Sequence, residues 1–165
     1  MIYHTKSFLF FFVGVGAILG NIIPAIYADI SQPKNLARLC LLGFGFIIAG
    51  NSMMAVAAES SDYTWICLST VIRCVGSSLI WVDSLLLIQK FTPSKMLGRV
   101  QSIDAMAALL GDCVSNLGAG ILLDRYNVSP TGLSWILSLL GLAFLIIWSP
   151  LAFKVPRNTR TSFNN

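Results

Sequence analysis

Three stretches of the chain, residues 7–28, 39–58 and 126–153, contain no aspartate, glutamate, lysine or arginine. Nothing else in the sequence restricts the fold as much. A helix needs about 20 apolar residues to cross a ~30 Å hydrocarbon core, and each stretch is that long. Within lipid an open sheet leaves backbone groups unpaired, so each stretch reads as α-helix. A membrane barrel is excluded, because no segment shows the alternation over ~10 residues that its strands require. Charged residues make up only 11% of the chain, against about 25% in a soluble domain, so a water-facing surface of the usual kind has little to build it.

Two less apolar segments lie between these stretches and have nowhere else to go. The sequence therefore predicts an all-α, polytopic transmembrane helix bundle over residues 1–153, with spans at 7–28, 37–58, 64–89, 100–123 and 131–153. Residues 154–165 form a short tail. Ser31-Gln32-Pro33, Thr92-Pro93-Ser94 and Ser129-Pro130 supply turn and helix-start chemistry between the spans. The first span is not read as a cleaved signal: its apolar run is longer than the ~7–15 residues of a signal core, and Asn21 and Pro24 interrupt its end.

Charge gives the orientation. Lys34, Arg38, Lys90, Lys95, Arg99, Lys154, Arg157 and Arg160 fall on one side, and only Lys6 and Arg125 on the other, where Glu59 and Asp62 also lie. Lysine and arginine are retained on the cytoplasmic side, so the C-terminus is expected in the cytoplasm. The expected location is a cell membrane of the bacterial inner-membrane type. Although the net charge is +4, the basic residues sit singly beside apolar runs, so nucleic acid is not an expected partner. The partner that composition demands is the lipid bilayer.

No cofactor or metal is expected. Cys40, Cys67, Cys74 and Cys113 are widely spaced in apolar segments and read as small hydrophobes. The single histidine, His4, lies outside the spans, so no nucleophile–base set is available and the chain is not read as an enzyme. Asp83 and Asp112 resemble the paired aspartates of intramembrane aspartyl proteases. Yet Leu109 stands where that motif needs glycine, and Val82 where it needs tyrosine.

The residues most in need of explanation are Arg73, Asp83, Asp104 and Asp112, all at membrane depth. Each costs ~2.5–3.5 kcal/mol at a helix centre on insertion scales, so none is expected to face lipid. At 3.6 residues per turn, Ser69, Arg73, Gly76, Ser77, Asp83 and Ser84 fall within an arc of roughly 120°. In the next span Asp104, Ala108, Asp112, Asn116 and Gly120 follow one i, i+4 row. One arginine can pair with one aspartate; the other two must be protonated, hydrated or paired with another chain. Arg73, Asp83, Asp104, Asp112 and Asn116 are therefore the candidate charge network or polar pathway. Small residues mark expected helix contacts: Gly16 and Gly20 in the first span, Gly111 and Ser115 in the fourth. The Phe8–Phe12 run and Trp148 are read as lipid-facing or interfacial surface.

Between the third and fourth spans the sequence runs Gln89-Lys90-Phe91-Thr92-Pro93-Ser94-Lys95-Met96-Leu97-Gly98-Arg99-Val100-Gln101-Ser102. This resembles the "Q-x-x-x-P-x-x-x-x-G-R-V-x-S" loop between the tenth and eleventh helices of major facilitator superfamily transporters. The likeness is closest to the branch of enterobactin-exporting and macrolide-efflux proteins. Gly118 to Arg125 resembles the "G-x-x-x-D-R" end of the eleventh helix in that branch, and Gly14 to Gly20 its glycine-rich helix before the middle loop. The resemblance covers the last five helices of a twelve-helix fold. It lacks the first-half loop "G-x-x-x-D-R-x-G-R", and after Asp29 the corresponding second-half loop has no arginine pair.

The resemblance implies the C-terminal half of a secondary transporter for small-molecule efflux, proton-coupled, with Gly98 and Arg99 in a gating loop. In that family the substrate site lies between two halves. The chain is then a truncated or split segment, inactive alone, completed by a separately encoded N-terminal half or by self-association. The substrate is unknown, because absent helices would select it. The alternative is a small non-transport membrane protein acting as a structural or regulatory partner.

Overall fold

A computed structural model describes residues 2–27, 32–60 and 62–154, with side chains from Leu9 onward. They form α1 (Ile2–Tyr27), α2 (Pro33–Ser60), α3 (Tyr63–Phe91), α4 (Leu97–Asp124) and α5 (Pro130–Lys154). All five are long and apolar enough to cross a membrane, and no strand occurs among the described residues. This is an integral membrane protein of the all-helical type. Asp29 to Ser31 and the tail beyond Lys154 lie outside the described residues.

The helices outrun the apolar spans. At 1.5 Å per residue, α2 is about 42 Å long and projects beyond a ~30 Å hydrocarbon core at its ends. Hydropathy marks where lipid begins, whereas backbone hydrogen bonding continues until a cap or proline ends it. The Asp62 carboxylate accepts a 2.9 Å hydrogen bond from the Thr64 amide and starts α3. Thr92 ends that helix in an extended conformation, ahead of Pro93. Between α4 and α5, Asn127 takes a left-handed φ of 50°, which asparagine tolerates better than most residues. Pro130 then opens α5 at a position where a missing amide hydrogen costs nothing.

Glycines set the helix crossings. A Cβ on Gly16 would lie 2.7 Å from the Val71 carbonyl oxygen and from Cys74 Cβ, and one on Gly20 2.6 Å from the Val75 carbonyl oxygen. The numbers rise together on both helices, so α1 and α3 run parallel. On the other side of α3, a Cβ on Gly76 would meet the Gly43 carbonyl oxygen at 2.5 Å, and one on Gly50 the Arg73 amide nitrogen at 2.7 Å. Here the numbers run in opposite senses, so α2 and α3 are antiparallel.

α5 packs antiparallel on the far side of α2. The Ser52 and Ser138 hydroxyls are 3.1 Å apart, and Trp148 Nε1 donates to the Ala37 carbonyl at 3.3 Å. Trp148 is half-buried against a cluster of Leu36, Cys40 and Leu87. It is therefore a packing residue rather than a lipid-facing one, because α2 offers its indole a carbonyl to bond. Phe10 and Phe11 of the phenylalanine run are exposed. The resulting row is α1, α3, α2, α5.

α4 is the exception. It has no buried residue and meets α3 and α5 only sparsely.

Candidate functional site

The polar arc of α3 is divided by its neighbour. Ser69, Gly76 and Asp83 repeat every seven residues along one border of the arc and are buried, under α2 where Gly76 meets Gly43. Arg73 and Ser77 lie on the other border and are exposed, with Ser84 half-buried beyond them. An arc ~120° wide is broader than one helix contact covers, so one edge is packed and the other remains open.

Asp83 is fully buried beside Leu79 and Leu87, and both its carboxylate oxygens lack a hydrogen-bond partner among the described residues. Burying such a group unpaired is costly, whatever its charge state. It stands within electrostatic reach of Cys40 on α2. Along the α3 axis it is about 15 Å from Arg73. Asp83 and Arg73 thus belong to different environments, not to one cluster.

α4 carries the rest of the network. Asp112 and Asn116 are exposed and Asp104 is half-buried. Among the described residues no ion pair joins Arg73 to Asp83, Asp104 or Asp112. Gly111 and Ser115, expected at a helix contact, are exposed, and a Cβ on Gly111 would meet nothing within 4 Å. The physical reason is that, among the described residues, no helix lies along that face of α4. Ser115 instead donates to the Asp112 carbonyl at 3.0 Å, within its own helix.

Gly98 and Arg99, expected in a loop, lie in the first turn of α4 and are exposed. The Gly98 carbonyl accepts the Ser102 hydroxyl at 2.9 Å. The loop between α3 and α4 is thereby reduced to residues 92–96.

The bundle also has two unlike ends. Antiparallel packing gathers Lys34, Arg38, Lys90, Lys95, Arg99 and Lys154 at one end, and Glu59, Asp62, Asp124 and Arg125 at the other. No group of three or more His, Cys, Asp or Glu side chains able to hold a metal occurs among the described residues.

Two contacts were not anticipated from the sequence, the Ser52–Ser138 hydrogen bond and the Trp148 anchor. The available signal was a pair of small polar residues inside charge-poor runs, where a hydroxyl needs a partner. Comparison of the chain with known protein families, with characterised proteins and with solved structures finds no match.

Proposed function

We propose that this chain is a C-terminal segment of a major-facilitator-type secondary transporter for small-molecule efflux, coupled to protons. The observation that carries the reading is that Arg73 and Ser77 on α3 and Asp112 and Asn116 on α4 are exposed at membrane depth. Polar groups at membrane depth normally face a bundle interior or a water-filled path. Among the described residues their side chains remain uncovered, although the Arg73 backbone lies against Gly50 of α2. These residues are read as part of one wall of a pathway whose other wall comes from further helices. The loop motif from Gln89 to Ser102 supports the same assignment. A single copy encloses no pathway and is inactive on its own.

The membrane is proposed to be a bacterial inner membrane, with the basic end and the C-terminus in the cytoplasm, as the distribution of lysine and arginine favours. The test is proton-gradient-dependent dye efflux in inverted vesicles, with the chain made alone and together with a matching N-terminal half. Gradient-dependent movement that disappears in Asp112→Asn supports the reading. Well-inserted protein with no transport in either arrangement overturns it, and points to a structural or regulatory partner instead.

A further inference from the structure

We infer that two copies of this chain meet through α3 and α4, Arg73 of each copy pairing with Asp112 of the other. The inference rests on reading these exposed polar residues as part of one wall of a two-walled pathway, and it names what supplies the second wall.

The argument is charge complementarity at fixed depth. α3 begins at Tyr63 and α4 ends at Asp124, and both residues lie at the same end of the bundle. Arg73 is about 15 Å below that end and Asp112 about 18 Å below it, at 1.5 Å per residue. The exposed cation and the exposed acid therefore lie at nearly one level in the bilayer, with no ion pair between them among the described residues.

A two-fold axis along the membrane normal returns every residue to its own depth. It matches Arg73 to Asp112 twice over and leaves neither charge in lipid. A foreign partner would have to bring one acid and one base of its own, both at that level. The helices also suit each other. α3 of one copy would run antiparallel to α4 of the other, and the small residues Ala107, Gly111 and Ser115, exposed on α4, allow close approach.

The test uses the full chain with donor or acceptor fluorophores, in vesicles at high lipid-to-protein ratio. Energy transfer between wild-type chains is expected, and its loss in Arg73→Asp alone and in Asp112→Arg alone. Mixing those two variants should restore transfer, because both interfacial pairs are then opposite in sign. Three results overturn the inference. These are a monomeric wild type, undiminished transfer in both single variants, and recovery in the Arg73→Asp/Asp112→Arg double variant without recovery in the mixture. The last would place the ion pair within one chain.

A second measurement covers variants that fail to insert. Ser77→Cys in one tagged copy and Ala108→Cys in another, both in a cysteine-free background, should cross-link. Absence of the heterodimer overturns the inference. Association and efflux are read separately, so dimers without transport count against the transport reading alone.

Discussion

At Gly76 a single hydrogen atom decides whether α2 and α3 touch. Alanine there would place its Cβ 2.5 Å from the Gly43 carbonyl oxygen and 2.8 Å from the Ile47 amide nitrogen, both backbone atoms that cannot swing aside. Gly45 has nothing within 4 Å of the same added atom. Both substitutions gain the helix propensity of alanine, so their difference isolates the crossing. Gly76→Ala is expected to lose about 1–3 kcal/mol relative to Gly45→Ala as overpacking separates the helices. Unfolding in mixed micelles measures this, and equal stabilities would mean that the crossing is loose. Asp83 presents the opposite case, since its carboxylate is buried with no hydrogen-bond partner among the described residues. Removing an unsatisfied buried polar group recovers its desolvation cost, so Asp83→Val is expected to stabilise the bundle by about 1–3 kcal/mol. A loss of stability would reveal a bond to the carboxylate that packing alone does not provide.

Among the elements, α4 differs from the other four in kind. α1, α2, α3 and α5 each bury part of their surface against a neighbour, whereas α4 buries none. Its polar row and its lipid-type surface are therefore separable by chemistry. Asp112→Cys and Asn116→Cys are expected to react with a water-soluble maleimide in intact membranes, while Val114→Cys and Leu117→Cys remain slow. A thiol in hydrocarbon meets neither the reagent nor the water that ionises it. Equal rates at all four positions would mean that the row lines no aqueous path. The sequence made the helices legible because lipid leaves a residue pattern that water does not permit. Runs free of charge located three spans outright, and the remainder located the other two. Contacts were less legible. The Gly16–Gly20 spacing announces a close approach but cannot name α3 as the partner, and Gly111–Ser115 has the same spacing with no neighbour among the described residues. The arc on α3 was also visible, but its division was not, because the pattern of one helix carries no record of where α2 comes to lie. The Trp148 bond escapes the sequence for a related reason: an indole suits a membrane interface and a backbone carbonyl equally well, and only the fold supplies Ala37.

For the whole molecule, the two ends decide how it sits in a membrane. Lys34 and Arg38 open α2, Lys90 closes α3, Lys95 and Arg99 flank the start of α4, and Lys154 closes α5. Since α2 and α4 run opposite to α1, α3 and α5, these residues come to one end regardless of small shifts in helix boundaries. The far end holds Glu59 and Asp62 between α2 and α3, and the adjacent Asp124 and Arg125. Translocation of short loops disfavours lysine and arginine and is nearly indifferent to acids, and on that ground the basic end is proposed to be the one held in the cytoplasm. The acidic end carries the Asp62 cap of α3, exposed, and the proposed orientation puts it outside. In a cysteine-free background, Glu59→Cys and Asp62→Cys are expected to react in whole cells with a charged, membrane-impermeant maleimide. Lys95→Cys and Lys154→Cys should react only after the membrane is opened. The Asp62 variant also removes the α3 cap, at a cost of about 1 kcal/mol, so Glu59→Cys is the cleaner reporter of side. Labelling of Lys95→Cys in sealed cells, with Glu59→Cys protected, would invert the molecule. Arg73 and Asp112 would then lie nearer the cytoplasmic face than the outer one, and their pairing between copies, which depends only on equal depth, would be unaffected.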